Sequence, residues 1–182
     1  MNIILIGFMA SGKSSLGRYM ANRTKRPLID LDHEIENRAQ MTIPQIFEKV
    51  GEKAFRDLES YVVSLCANYH NTIVATGGGC ILRKENRDAL KKSGLVVWLN
   101  TNAENVQKYT ARRSNRPLLK GDKSIDDINQ MMKLREPLYD DCSHLKVDVF
   151  NHNLEAIFEI IQSYKDQFLA QEYAKEQERA SS

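Results

Sequence analysis

The fold of this chain is decided by Gly7-Phe8-Met9-Ala10-Ser11-Gly12-Lys13-Ser14, which matches the pattern G-x-x-x-x-G-K-[ST]. The stretch directly follows the apolar run 2–6, a predicted strand, and opens a predicted helix over 13–23. This strand, turn and helix context is the one that the pattern requires. Backbone N–H groups of the turn and of the helix N-terminus converge there on an anion. The sequence therefore predicts a site for nucleotide phosphates.

Individual residues of this loop have expected roles. Lys13 would reach the β- and γ-phosphates, and the Ser14 hydroxyl would ligate Mg²⁺. Contacts to ATP are expected from the consecutive residues Ala10, Ser11, Gly12, Lys13, Ser14 and Ser15. The alternative interpretation, a glycine-bearing turn with a solvated lysine, accounts less well for the flanking strand and helix.

Short β-branched runs alternate with longer amphipathic stretches along the chain. The predicted strands are 2–6, 27–31, 72–76, 95–99 and 145–149. The predicted helices are 13–23, 33–38, 44–50, 52–68, 84–91, 103–114, 125–140 and 154–168. Several strands are apolar at nearly every position, which is typical of strands covered on both faces. The pattern predicts an α/β fold, with a parallel sheet between helices joined by right-handed crossovers.

Two segments interrupt this alternation. The polar and strongly basic stretch 111–124 carries Pro117 and Gly121, and it is predicted to form a mobile surface loop. The polar end 171–182 is helix-prone but has little apolar surface to bury, so it is expected to be a frayed or partly disordered tail. Residues 1–170 are expected to form one domain.

Composition and charge exclude several classes of protein. The 182 residues are 42% hydrophobic, an apolar content too high for a disordered chain. A net charge of +2 gives no strong positive field, so no nucleic-acid partner is expected. The N-terminal apolar run is too short for a signal peptide or a membrane span, so no membrane partner is expected. Three widely spaced cysteines argue against disulfides and zinc. We expect a cytoplasmic monomer.

A phosphate-binding loop alone does not identify the reaction. The chain has no Asn-Lys-x-Asp to read guanine, and no Asp-x-x-Gly follows the loop as in GTPase switches. The strand 72–76 ends in Gly77-Gly78-Gly79 rather than in the Asp-Glu pair that hydrolytic ATPases use to activate water. These features favour a kinase that phosphorylates a small molecule.

Further clusters of residues indicate which small molecule accepts the phosphoryl group. They are Asp30-Leu31-Asp32, Ile43-Pro44-Gln45-Ile46-Phe47-Glu48, Gly51-Glu52-Lys53-Ala54-Phe55-Arg56-Asp57-Leu58-Glu59, Ala75-Thr76-Gly77-Gly78-Gly79, Arg116-Pro117-Leu118-Leu119 and Arg135-Glu136-Pro137-Leu138-Tyr139. In this order and spacing, over about residues 2–164, the set resembles the shikimate kinase family. The resemblance implies a three-layer P-loop kinase fold like that of nucleoside monophosphate kinases, with a five-stranded parallel sheet and a mobile lid at about 111–124. It also implies that the γ-phosphoryl group of ATP is transferred to the 3-hydroxyl of shikimate. The products would be ADP and shikimate 3-phosphate, on the route to chorismate and aromatic amino acids.

The resemblance implies a catalytic set of Lys13, Asp32 and Arg116. Asp32 would orient the acceptor hydroxyl and accept its proton. Arg116, carried on the lid, would reach the ATP phosphates, offset charge on the transferring group and help to exclude water. Asp30 would join Ser14 at the Mg²⁺ by holding its hydration shell.

The resemblance also implies where shikimate binds. Arg56 and Arg135 would hold its carboxylate by charge-assisted, forked hydrogen bonds. Asp32 would bind its hydroxyls at the reacting end. The backbone of the glycine turn would complete the substrate site with Gly77, Gly78 and Gly79. Positioning of this kind is most of what phosphoryl transfer needs from a protein.

Several of these residues have a simpler structural interpretation. Asp32 could cap the helix that follows it. Arg56 lies between Glu52 and Glu59 and could form only a surface ion pair. Arg135 could likewise pair with a nearby carboxylate such as Asp140.

Two alternative functions stay open at this point. One is another small-molecule kinase of the same architecture, such as a gluconate kinase, whose substrate also carries a carboxylate. The other is an ATP-binding module without a phosphoryl acceptor, which would bind ATP without turnover.

Overall fold

The structure is a computed structural model that describes residues 1–110 and 124–180. Its sheet has the strands β1 (Asn2–Ile6), β2 (Leu28–Asp30), β3 (Ile73–Ala75), β4 (Gly94–Asn100) and β5 (Leu145–Asp148). The order across the sheet is β2-β3-β1-β4-β5. Every neighbouring pair is parallel. The five predicted strands and their parallel arrangement are therefore confirmed, with ends that differ from the prediction by at most one residue.

Helices fill the connections between the strands. They are α1 (Lys13–Thr24), α2 (Leu31–Ala39), α3 (Ile43–Lys49), α4 (Gly51–Ser64), α5 (Lys84–Ser93), α6 (Ala103–Thr110), α7 (Ile125–Cys142) and α8 (Leu154–Ala180). Single 3₁₀ turns occur at Leu65–Asn68, Cys80–Leu82 and Val149–Asn151. The predicted helix 103–114 can be followed only to Thr110, because residues 111–123 lie outside the described residues. In the part of the chain that is described, none of the helices combines the length and apolar character needed to cross a bilayer.

The central strand β1 explains why the sheet is covered on both faces. All of its residues are buried, and their side chains alternate between two cores. Ile4 and Ile6 belong to the core formed with α2 to α7. Ile3 and Leu5 belong to the core formed with α1 and α8. The result is a three-layer arrangement with one sheet between two layers of helices, as the sequence predicts.

The C-terminal end differs from the prediction. The helix α8 does not end near Phe168 but continues to Ala180. Residues 171–174 are exposed, so the polar composition correctly indicates exposure. Exposure did not end the helix, because good helix formers such as Gln, Glu, Ala and Lys continue a turn already nucleated by the packed part of α8.

The parallel strands bring distant parts of the sequence to one edge of the sheet. The loops that follow β1, β2 and β3 all leave from the carboxyl ends of their strands, where open α/β sheets bind ligands. These loops contain the phosphate-binding loop, the segment around Asp32 and the glycine turn 77–79. The fold therefore positions the predicted site residues together.

At the opposite edge, the side chain of Asn2 joins the amino ends of three strands. Its Nδ2 donates to the carbonyls of Tyr69 (2.7 Å) and Ser93 (2.9 Å), which precede β3 and β4. Its Oδ1 accepts a hydrogen bond from the N–H of Thr72 at 3.1 Å. One buried amide thus satisfies three backbone groups that the strand ladder leaves unpaired.

We expect Asn2→Ala to lower the free energy of unfolding by about 2–3 kcal/mol, because buried backbone groups lose their partners. Urea denaturation measures the change. Asn68→Ala is the matched control, since Asn68 is exposed in a 3₁₀ turn and its loss should stay within about 0.5 kcal/mol. Equal stability of the two variants would contradict this role of Asn2.

Candidate active site

The phosphate-binding loop follows β1 and turns sharply into α1. Ala10 and Gly12 adopt left-handed backbone conformations, with φ values of 62° and 88°. The side chain of Lys13 folds back over the loop, and its Nζ donates to the carbonyls of Gly7 (2.8 Å) and Phe8 (2.9 Å). A buried ammonium group is thus held against a glycine-bearing loop, which is an arrangement suited to polyphosphate.

The first turn of α1 offers N–H groups to an anion. Among the described residues no side chain caps this N-terminus, and the turn has no acidic residue. The N–H of Leu16 donates to the carbonyl of Gly12 at 2.9 Å. The N–H groups of Lys13, Ser14 and Ser15 precede this bond and are therefore directed out of the helix end. The residues predicted to contact ATP in this loop lie together in one turn and one helix start.

Ser14 and Asp30 form a polar pair beside the loop. The Ser14 hydroxyl donates to Oδ2 of Asp30 at 2.8 Å. Asp30 also caps α2, since its Oδ1 accepts a hydrogen bond from the N–H of Asp32 at 3.2 Å. The interpretation of Asp32 as the cap of this helix is therefore wrong.

The Ser14 and Asp30 pair suits Mg²⁺ chemically. A hydroxyl and a carboxylate are hard oxygen ligands, which Mg²⁺ takes together with water and substrate phosphates. The described residues contain no cluster of three or more His, Cys, Asp and Glu that could hold a metal by themselves. A metal at this site would accordingly be held jointly by protein, water and phosphate.

A cavity of about 230 Å³ lies next to the loop at the carboxyl edge of the sheet. It brings together all residues predicted to bind the acceptor, namely Asp32, Arg56, Gly77, Gly78, Gly79 and Arg135. The rest of its lining is an apolar wall with two carboxylates: Met9, Ile43, Pro44, Phe47, Phe55, Glu36 and Glu59. A small space with an apolar wall and a few converging polar groups suits a small polar molecule.

Arg56 and Glu59 form a buried ion pair in this cavity. Nη1 of Arg56 donates to Oε2 of Glu59 at 2.7 Å, and the two side chains are only 8% and 3% exposed. Glu52 accepts a hydrogen bond from Nη2 of Arg56 at 3.3 Å. The ion pair inferred from the sequence is thus present, but it lines the cavity instead of lying at the surface.

Burial and charge act against each other in this pair. Burial raises the pKa of Glu59, and the attraction of Arg56 opposes that shift without cancelling it. Burial lowers the pKa of Arg56, but the charges and hydrogen bonds of Glu59 and Glu52 outweigh burial and raise it. Arg56 therefore stays protonated at physiological pH. The cavity keeps a permanent positive group.

Arg135 enters the cavity from α7. Its guanidinium carbon lies 5.3 Å from the ring centre of Phe8, in a cation–π contact. Its Nη1 is buried and meets no hydrogen-bond acceptor among the described residues, so Asp140 does not satisfy it. Buried donors in native proteins are nearly always paired. This nitrogen marks a position for an acceptor atom of a bound molecule.

The glycine turn is required because site residues occupy the space that side chains would need. A Cβ on Gly77 would lie 2.5 Å from Oδ1 of Asp32, and one on Gly79 would lie 2.6 Å from Nη1 of Arg56. A Cβ on the middle glycine would lie 3.0 Å from a backbone nitrogen of the phosphate-binding loop. The turn therefore packs directly against the phosphate-binding loop, whose Met9 also lines the cavity.

The sequence indicates this site incompletely. Glu59 is identified there only as a surface partner of Arg56, whereas its carboxylate lines the cavity. The apolar wall belongs to the clusters quoted from the sequence, but spacing alone does not separate a cavity wall from a core. Arg116 lies outside the described residues, as does the predicted lid at about 111–124 except for Ser124. Their roles stay predictions.

Fold and site together define a class of protein. The sheet is parallel with a phosphate-binding loop after its central strand, and a small polar cavity lies beside that loop. This combination is that of a P-loop phosphotransferase that acts on a small molecule.

The model of the shikimate kinase family matches residues 9–165, and the chain belongs to this family. The shikimate kinase of Burkholderia thailandensis is 39% identical over 160 residues, which cover 88% of this chain and 87% of that protein. The solved structure of shikimate kinase from Acinetobacter baumannii in complex with shikimate aligns with a TM-score of 0.82 and 37% identity. That alignment covers 90% of this chain and 94% of the Acinetobacter chain.

For the alternative of a gluconate kinase, the comparison shows a shared fold only. A gluconokinase from Sinorhizobium meliloti aligns with a TM-score of 0.58 but with 16% sequence identity. Likeness at this level of identity extends to the architecture and does not identify the acceptor.

We expect Gly79→Ala to raise the KM for the phosphoryl acceptor at least about tenfold, because the new methyl group displaces the Arg56 guanidinium. The backbone of Gly79 has φ −100° and ψ −1°, which alanine tolerates. Any loss of thermal stability should therefore come from the displaced Arg56 and Glu59 ion pair and not from backbone strain, and the KM for ATP should stay constant. Steady-state kinetics with each substrate varied measure both constants.

Gly17→Ala is the matched control for this variant. A Cβ on Gly17 would lie 2.9 Å from Cδ1 of Leu28, so it also crowds a side chain, but in the core on the other face of the sheet. It should affect stability and leave the acceptor KM unchanged. An acceptor KM raised equally in both variants would contradict the specific effect on Arg56.

Proposed function

We propose that the cavity binds shikimate with its carboxylate between Arg56 and Arg135 and with its reacting hydroxyl beside Asp32. The observation that carries this proposal is the buried Nη1 of Arg135, which has no acceptor among the described residues. A carboxylate can accept forked hydrogen bonds from two guanidinium groups at once. The apolar wall opposite would pack against the carbon ring of the substrate.

The overall reaction follows from membership of the shikimate kinase family. The protein transfers the γ-phosphoryl group of ATP to the 3-hydroxyl of shikimate, and the products are ADP and shikimate 3-phosphate. A new bond forms between the hydroxyl oxygen and the γ-phosphorus, while the bond from that phosphorus to the β–γ bridging oxygen breaks.

The chain's own residues supply positioning and charge for this transfer. The Asp32 carboxylate orients the 3-hydroxyl and accepts its proton as the new bond forms. The Lys13 ammonium offsets negative charge on the β- and γ-phosphates. The two arginines fix the opposite end of the substrate, so that one hydroxyl faces the phosphate-binding loop. The role of Arg116 in closing over the transferring group stays a prediction from the sequence.

Ser14 and Asp30 are the residues that would hold Mg²⁺, the Ser14 hydroxyl directly and the Asp30 carboxylate through water. Bound there, Mg²⁺ supplies charge neutralisation on the phosphates. The hydrogen bond of 2.8 Å between the two side chains keeps both oxygens at one place beside the loop.

An ATP-binding module without an acceptor is the second function that the sequence leaves open. Such a module has no use for a cavity that combines two arginines with a carboxylate. A buried guanidinium nitrogen without a partner costs stability unless a ligand satisfies it. The cavity therefore favours the kinase.

We further propose that the enzyme acts as a monomer in the cytoplasm. One chain supplies all the residues predicted to bind the acceptor, so a monomer can form this cavity by itself. The thiols of Cys66, Cys80 and Cys142 are free, as expected of a protein that works in a reducing compartment.

The acceptor is tested by coupled ADP release with purified protein, ATP and Mg²⁺. Shikimate, gluconate and nucleoside monophosphates are supplied separately at equal concentration. We expect ADP release to depend on shikimate, with shikimate 3-phosphate as the product detected by NMR. Turnover with gluconate alone would contradict the proposal, and ATP binding without turnover of any acceptor would support the binding module instead.

We expect Arg135→Ala to raise the KM for shikimate about 10- to 100-fold, the value of a lost charge-assisted hydrogen bond, with little change in the KM for ATP. Arg135 is the better arginine to remove, because Arg56→Ala would also leave the buried Glu59 without its partner. Arg38→Ala is the matched control, since Arg38 pairs with Glu34 at the surface. A rise in the KM for ATP alone would assign Arg135 to the nucleotide.

A further inference from the structure

The hydroxyl of Tyr139 makes a contact that the reaction described above does not use. Tyr139 lies on α7 and is only 2% exposed. Its Oη donates to the carbonyl oxygen of Gly78 at 2.7 Å. A buried tyrosine usually finds some acceptor, so the significance of this bond depends on which carbonyl it holds. Here it holds the middle residue of the glycine turn.

The ring of Tyr139 packs against side chains of the sheet. It stacks on the indole of Trp98 in β4, with 5.5 Å between ring centres and 17° between ring planes. Nζ of Lys146 in β5 lies 4.2 Å from the centre of the same indole. Close packing of this kind on the strands of the sheet restricts ring motion. The hydroxyl is therefore held at a fixed place relative to the sheet.

Fixing the Gly78 carbonyl also fixes the peptide unit that joins Gly78 to Gly79. A peptide unit is planar and trans, so this unit includes the N–H and the Cα of Gly79. The guanidinium of Arg56 rests against that Cα, because a Cβ there would lie 2.6 Å from Nη1. Rotation of the unit would move the surface on which Arg56 rests.

Arg135 is the second arginine near Tyr139. The two residues lie four positions apart on α7, which places them one turn apart on the same helix face. Burial raises the pKa of the Tyr139 hydroxyl, and the nearby charge of Arg135 opposes that shift. Tyr139 thus supports the position of one arginine through the glycine turn and neighbours the other on its own helix.

We propose that Tyr139 is a positioning residue that sets the spacing between Arg56 and Arg135. This inference rests on the proposed function, in which these two arginines hold the substrate carboxylate. A carboxylate bridged by two guanidinium groups needs both of them within hydrogen-bond distance at the same time. Loss of the Tyr139 hydroxyl therefore weakens shikimate binding without removing any group that touches shikimate or ATP.

The first test is Tyr139→Phe, which keeps the ring and removes only the hydroxyl. We expect the KM and the calorimetric Kd for shikimate to rise about 5- to 30-fold, as for one buried acceptor left unpaired. The KM for ATP should stay within about twofold, because the phosphate-binding loop keeps its own hydrogen bonds.

Tyr164→Phe is the matched control. Tyr164 Oη also donates to a backbone carbonyl, that of His144, at 2.7 Å, and Tyr164 does not belong to the cavity lining. Its loss should lower thermal stability and leave both KM values unchanged. Comparing the two variants shows whether an effect on the KM for shikimate is specific to the hydrogen bond from Tyr139 to Gly78. An effect seen in both variants would follow from the loss of any tyrosine hydrogen bond to the backbone.

A double-mutant cycle with Arg135→Ala tests how Tyr139 acts. Since the proposed role of Tyr139 is to set the position of Arg56 relative to Arg135, Tyr139→Phe should cost less shikimate affinity in the Arg135→Ala background than in the wild type. If Tyr139→Phe does not fold, Trp98→Leu replaces it, because that variant keeps the hydroxyl and loosens the ring. It should raise the KM for shikimate in the same direction.

Wild-type shikimate constants in Tyr139→Phe would overturn the proposal. A parallel rise in both KM values would overturn it as well, since that pattern describes general loss of structure. Full additivity in the cycle would overturn the link to Arg135. All of these outcomes are measured against a wild-type enzyme that phosphorylates shikimate. Failure of the proposed function is distinct from them, because the wild type itself would then show no turnover of shikimate.

Discussion

The parallel pairing of β1 with both β3 and β4 is the constraint on which the whole site depends. Ile4 of β1 is opposite Val74 on one side and Val96 on the other, and every strand runs in the same direction. Parallel neighbours can be joined only by long crossovers, so a helix follows each strand before the next one begins. Their carboxyl ends meet at one edge, where the loop after β1 and the turn after β3 come within contact distance. Residues far apart in sequence, such as Phe8 and Arg135, meet through this geometry.

The elements of the fold could be predicted from the sequence because their local signals agree with the tertiary structure. The strand β1 runs over Asn2–Ile6 as predicted, since it is apolar from Ile3 to Ile6 and followed at once by the glycine loop. The end of β2 differs, because Leu31 is apolar like a strand residue but already belongs to α2. The side chain of Asp30 starts that helix by accepting the Asp32 N–H. A single side-chain hydrogen bond therefore decides the boundary, and periodicity does not reveal it.

The site could be predicted less completely, because burial depends on contacts between distant segments. The spacing of Glu52, Arg56 and Glu59 on a helix is the same for a solvated ion pair and for a buried one. Gly79 makes the difference, since its missing side chain leaves room for the guanidinium beneath the glycine turn. The hydrogen bond from Tyr139 to Gly78 joins residues that are 61 positions apart, so no local pattern indicates it. The resemblance to the shikimate kinase family identified the polar residues of the site. Their contacts with one another became visible only in the packed structure.

The distribution of thiols over the two cores has a practical consequence. Cys66, Cys80 and Cys142 are all buried in the core on the α2 to α7 side, and the other core as described contains no cysteine. Burial raises the pKa of Cys66 and of Cys142 to about 12, so these thiols are protonated and shielded in the native state. An alkylating reagent can therefore reach them only when this layer opens. Labelling rates at these positions would report the opening of the substrate-binding layer separately from that of α1 and α8. The protein thus carries its own probes for partial unfolding of the half that binds its substrate.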